Sequence, residues 1–282
     1  MATFKLKERY VRNGCITPDG KLALIGAEAL TLWDLTTGQK RVLDERYHDV
    51  TAISITSDGR RAVSANYDRT IRVWDVQRGL YVPDVEMVDS GIRSIAVTPN
   101  GKSALFGCVA GWLRLWDLEG AKLLRTLRGH RHSGESEINS VSITPDGRTA
   151  ISACHDTTLR LWDLEQGRCI RVLKPFNGDD IQSVKITPDG RRAISVGNDR
   201  KVRIWDLVHG RCISALAGCV FVIIENMPSR KHSLMQDTGY PDTLRLAPVG
   251  AIPLASPSAI APRMPASFAS YSSSSRSSMR GG

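Results

Sequence analysis

The chain has 282 residues, 41% hydrophobic and 24% charged, with a formal net charge of +9. That is the composition of a folded, water-facing domain; no apolar run approaches the ~18 residues of a membrane-spanning helix, and Met1–Tyr10 lacks the apolar core of a secretory leader. Much of the charge is local: residues 226–282 hold six Lys and Arg against two Asp and Glu, leaving 32 bases interleaved with 27 acids elsewhere. Without a clustered basic face the electrostatic footprint of a nucleic-acid binder is missing, and neither nucleic acid nor membrane is the expected partner. The six cysteines show no metal-ligand spacing and read as reduced thiols of a cytoplasmic protein.

Along the chain, Phe4-Lys5-Leu6 reads as a short strand, and five similar segments follow. Each has a first short strand, then a turn: Pro18-Asp19-Gly20, Ser57-Asp58-Gly59, Pro99-Asn100-Gly101, Pro145-Asp146-Gly147 and Pro188-Asp189-Gly190. Each then reaches a Trp-Asp pair, at Trp33, Trp74, Trp116, Trp162 and Trp205, spaced by 41, 42, 46 and 43 residues. The second segment shows the pattern best. Val50–Ile55 alternates around Ile53 and Ile55, Arg61–Ala65 and Thr70–Val76 are further strands, and a fourth starts at Leu80. Four short antiparallel strands leave apolar surface on both faces of a small sheet, so neighbouring sheets must stack to bury it.

A period of roughly 40–45 residues carrying a Trp-Asp signature is what propeller blades leave in a sequence. On these residues the chain resembles the WD40-repeat family, and the wording Thr-Pro-Asp-Gly-Arg-Arg-Ala-Ile-Ser is similar to uniform bacterial arrays. The resemblance implies an all-β propeller of five four-stranded blades over residues 1–218, closed or open. It also implies a hydrogen-bond relay of His, Ser or Thr, Asp and Trp within each blade. Matching residue by residue gives Ser64, Asp68 and Trp74 in repeat two, Ser152, Asp156 and Trp162 in repeat four, and Ser195, Asp199 and Trp205 in repeat five. Repeat three has Phe106 and Ala110 at the Ser and Asp positions, and repeat one has Ile25 and no Asp. His130 stands at the relay position but is followed by an apparent insertion, and repeat five has no His there. Complete relays are therefore not expected in repeats one, three and five.

Residues 219–250 read either as a degenerate sixth repeat or as linker. Val220–Ile224 resembles a first strand, but Ala247 stands where a Trp is due. Seven of the 13 prolines lie between Pro228 and Pro265, and the chain ends in a Ser run, so residues 251–282 are expected to be disordered.

No nucleophile elbow, phosphate loop or zinc-helix motif is present, and His130-Arg131-His132 reads as loop rather than as a metal pair. No cofactor is expected. The first-strand segments carry no carboxylate, which weighs against the rival reading of an enzyme centred on a channel. The expected function is a non-catalytic scaffold or sensor binding proteins or peptides on the propeller rim. The other alternative is a truncated piece of a longer WD40 protein, prone to oligomerise through free edges if its ring is open. By resemblance, the rim positions flank each first strand and precede the relay Asp. Those beside the first strands are Tyr10, Arg12, Asp49, Thr51, Gly91, Arg93, Glu137, Asn139, Asp180 and Gln182, and those before the Asp are Tyr67, Val109, His155 and Asn198. Trp112, the sole tryptophan outside the signature, is either a ligand-facing or a blade-packing aromatic.

Overall fold

A computed structural model describes residues 11, 13–27, 29–44, 50–87, 90–130, 136–174 and 180–217. Phe4-Lys5-Leu6, the sixth-repeat reading of 219–250 and the tail at 251–282 lie outside the described residues.

The described chain is all β: five antiparallel sheets of four strands, each sheet formed by strands consecutive in sequence. The first contains β1 (Asn13–Ile16), β2 (Leu22–Gly26), β3 (Leu30–Asp34) and β4 (Lys40–Asp44). The second contains β5 (Val50–Ile55), β6 (Arg61–Asn66), β7 (Thr70–Asp75) and β8 (Leu80–Met87). The third contains β9 (Ile92–Val97), β10 (Ser103–Cys108), β11 (Leu113–Asp117) and β12 (Lys122–Leu127). The fourth contains β13 (Ile138–Ile143), β14 (Thr149–Cys154), β15 (Leu159–Asp163) and β16 (Arg168–Leu173). The fifth contains β17 (Ile181–Ile186), β18 (Arg192–Gly197), β19 (Lys201–Asp206) and β20 (Arg211–Ala217). The first strands adjoin in the order β1, β5, β9, β13 and β17.

The first turn of each sheet owes its shape to a Thr that precedes the Pro-Asp-Gly signal. Thr144 Oγ1 donates to Asp146 at 2.5 Å and accepts from the Thr149 amide at 3.0 Å, while Asp146 accepts from the Arg148 amide. Gly147 completes the turn at φ +72°, a conformation costly for other residues. Thr17, Thr56, Thr98 and Thr187 make the same bonds to Asp19, Asp58, Asn100 and Asp189. The turns also fit against one another. A Cβ on Gly147 would stand 3.4 Å from Pro99 of the preceding sheet, and one on Gly190 would stand 3.3 Å from Pro145.

The Trp-Asp pair serves two ends. Its Trp side chains are buried, from 0 to 6% exposed. Its Asp side chains cap the turn that follows: Asp34 accepts from the Thr36 and Thr37 amides, Asp163 from Gln166, and Asp206 from Val208 and His209. These bonds, led by the Thr36 hydroxyl, hold the Asp34 carboxyl down to about 2. In sheets three to five the register shifts at the Trp itself, a bulge that increases the local twist.

No sheet has a core of its own. Leu24, Leu30, Ile53 and Trp74 form one cluster across sheets one and two. Val63, Ile71, Phe106 and Trp116 join sheets two and three, and Leu105, Leu113, Val141 and Trp162 join three and four. Ile151, Leu159, Val184 and Trp205 join four and five. In sheets two to five the Trp is buried against the sheet before it.

Candidate functional site

The second hairpins, β6–β7, β10–β11, β14–β15 and β18–β19, share one end of the sheets with the segments leading into the first strands. What fixes that end is the relay beneath it.

In the fourth sheet the relay is complete. The Trp162 indole N–H donates to Ser152 Oγ at 2.8 Å, Ser152 Oγ lies 2.7 Å from His130 Nε2, and His130 Nδ1 lies 2.9 Å from Asp156 Oδ2. A carboxylate can only accept, so Nδ1 carries the imidazole proton and Nε2 accepts from the Ser152 hydroxyl. Burial pushes the His130 pKa below its ordinary 6.5, against the opposing pull of Asp156, and the ring is neutral. Asp156 is held further by the Thr158 amide and hydroxyl.

The fifth sheet, with no His before β17, solves the same problem with arginine. The Trp205 indole donates to Ser195 Oγ at 2.8 Å, and both terminal nitrogens of Arg203 bond to Asp199, Nη1 to Oδ1 at 3.1 Å and Nη2 to Oδ2. That guanidinium is foremost in holding the Asp199 carboxyl below its ordinary value. In the second sheet Trp74 donates to Ser64 at 2.9 Å, and Asp68 binds the Thr70 hydroxyl and Arg72, the latter at 3.2 Å. The third sheet has buried Phe106 where a Ser would stand, and the Trp116 indole N–H has no partner among the described residues. In the first, Trp33 donates to the Gly38 carbonyl at 3.1 Å. The arginine was readable in the sequence: it stands two residues before the Trp in repeats two to five, as Arg72, Arg114, Arg160 and Arg203.

His130, Cys154 and Asp156 bring three metal-binding atom types within 4.8 Å of one another. Their chemistry is already committed. Both ring nitrogens are bonded, and Cys154 Sγ donates to the Ser136 carbonyl while accepting from the Asp156 amide. Burial pushes its thiol up to about 12, so the metal-free protein keeps it protonated.

Above the relays lies a cavity of about 610 Å³ spanning sheets two to five. Eight of the rim positions read from the sequence line it: Thr51, Tyr67, Gly91, Arg93, Val109, Glu137, Asn139 and Gln182. Asn66, Arg69 and Ile92 line it as well. Arg93 reaches across from the third sheet to Glu137 of the fourth at 2.5 Å. Next to it, His155 lies 3.2 Å from Asp180, which also accepts from Asn198, so these three link sheets four and five instead of lining the cavity. Trp112 is elsewhere too: the Arg128 guanidinium stacks 4.6 Å from its ring centre, with Arg114 at 5.9 Å. Tyr10, Arg12 and Asp49 lie outside the described residues. Asn66 and Arg69 escaped the sequence reading because they flank the Tyr-Asp step instead of occupying the rim positions the family suggests.

A family profile described as "WD domain, G-beta repeat" matches residues 39–75, 121–163 and 167–206. The chain carries WD40 repeats at these three positions. The matched segments contain Trp74, Trp162 and Trp205, the three indoles held by a serine, and exclude Trp33 and Trp116. Among curated proteins, the WD40 chain is 34% identical over 119 residues to autophagy-related protein 16 of Arabidopsis thaliana, covering 41% of this chain and 23% of that protein. It is 32% identical over 123 residues to protein groucho of Drosophila melanogaster, covering 42% of this chain and 17% of the relative. It is 26% identical over 135 residues to a periodic tryptophan protein 2 homolog of Schizosaccharomyces pombe, covering 46% and 16%. The chain thus spans less than a quarter of the length of each of these relatives.

Proposed function

We propose that this WD40 chain is a non-catalytic, cytoplasmic scaffold or sensor that holds a protein or peptide partner at the rim cavity. The observation that carries the reading is the juxtaposition of the cavity with Tyr67, which is 74% exposed at its edge. Exposed aromatic and guanidinium groups on a rigid base favour protein recognition, since little side-chain freedom is lost on binding. In the fourth sheet the relay supplies that rigidity, because Asp156, His130 and Ser152 tie the rim hairpin to the buried Trp162. The five first strands present no Asp or Glu, so the paired carboxylates of a channel-centred hydrolase have no place on them.

Affinity capture from cell extract with the full chain and with a Tyr67→Ala, Arg93→Ala double variant tests the reading. The wild type is expected to retain partners that the variant releases. Retention of every partner by a folded variant would show that binding lies elsewhere.

A further inference from the structure

The cavity is selective in which hydrogen-bonding groups it leaves available. Asn66 spends its amide hydrogens on the Thr70 carbonyl and hydroxyl, Thr51 donates to the Ala65 carbonyl, and Asn139 donates to the Ile181 carbonyl. Arg93 is matched by Glu137, the single carboxylate among the described lining residues. Arg69 differs. Its exposed side chain borders the cavity, and no carboxylate or carbonyl among the described residues engages its guanidinium. Beside it the Tyr67 hydroxyl is also uncommitted, as is the Gln182 amide across the cavity. The described lining thus carries two guanidiniums against one carboxylate, with its spare polar capacity mostly in donors.

We propose that the cavity recognises an acidic segment of a protein partner, with a carboxylate or phosphoryl oxygen on Arg69 and a neighbouring apolar or aromatic side chain on the Tyr67 ring. This rests on the rim reading above and names the chemistry of its ligand. An anion there completes the charge balance and accepts from the donors left over, whereas a cationic segment would meet an unopposed guanidinium.

The test uses the full chain and three fluorescein-labelled peptides that share an apolar centre: one flanked by Glu, one by Gln and one by phosphoserine. Arg69→Gly is the informative variant, because position 69 has a φ of +65° that glycine adopts without strain, so the turn is kept while the charge is removed. Anisotropy titrations should show the Glu or phosphoserine peptide binding at least about tenfold more tightly than the Gln peptide, with Arg69→Gly erasing the preference. Preference for phosphoserine over Glu would identify the phosphoryl group as the ligand, and the reverse would identify the carboxylate. Equal binding of all three peptides, no binding of any, or an undiminished preference in Arg69→Gly overturns the proposal. If captured partners depend on Tyr67 and Arg93 but are kept by Arg69→Gly, the rim reading stands and the acidic ligand falls.

Discussion

Ser152→Ala is the sharpest probe of how the fold is held. Ser152 is fully buried, and its hydroxyl is the shared partner of the Trp162 indole at 2.8 Å and His130 Nε2 at 2.7 Å. Alanine leaves both groups buried and unsatisfied, at about 1–3 kcal/mol each, so the expected loss is about 3 kcal/mol. For a domain of this size that corresponds to a fall in Tm of about 6–12 °C. Ser195→Ala orphans only the Trp205 indole, and Ser64→Ala only that of Trp74, so each should lose about 1–2 kcal/mol. The third sheet already tolerates one orphaned indole, at Trp116. Thermal melts followed by far-ultraviolet circular dichroism, with tryptophan fluorescence as a second probe, would rank the three variants. Equal losses across them, or a loss below about 1 kcal/mol for Ser152→Ala, would refute the reasoning.

Two further outcomes follow from the relays. The folded pKa of His130 lies below its ordinary 6.5, so the unfolded chain binds the proton more readily; its contribution is present above pH 6.5 and is lost as pH falls through the folded value. Comparing Tm between pH 7.5 and 5, His130→Gln should be less stable overall yet lose less stability on acidification, whereas parallel slopes would exclude His130 as the source. In the fifth sheet, Arg203→Met leaves the Asp199 carboxylate, itself only 7% exposed, without its guanidinium, and should cost about 3 kcal/mol. Adding Asp199→Leu should restore part of that loss in urea unfolding, whereas full additivity of the two substitutions would mean that the pair is not coupled.

What the sequence made legible is what the chain settles within a few residues. The Thr-x-Asp-Gly turn closes over six residues, and Ser and Trp of one relay lie ten apart on paired strands, so both recur visibly. Five four-stranded sheets and the Ser, Asp and Trp positions could be read for that reason. His130 was harder, since it lies 26 residues from Asp156 with an apparent insertion between, and only the folded distance assigns its role. Arg203 was visible as a repeated Arg two residues before the Trp, but its bond to Asp199, like that of Arg72 to Asp68, is assigned only by the folded hairpin. Trp112 could be read in two ways because its partner, Arg128, follows a whole strand later. The cavity was largely legible: family spacing points to eight of its residues, while Asn66 and Arg69 enter through the shape of the hairpin.

The sharing of every apolar cluster between two sheets gives the array a nearest-neighbour character. A lesion in one sheet weakens the clusters it shares with the sheets beside it, so damage travels laterally and weakens with each step, as in an array of coupled units. Loss of Phe106, fully buried in the third sheet, would loosen the second through Val63 and Ile71, while among the described residues its cluster includes none of the fifth. The rim cavity spans four of these units, so its lining stays assembled only while the three clusters joining them hold. An occupant touching sheets two to five would couple their stabilities without adding a strand.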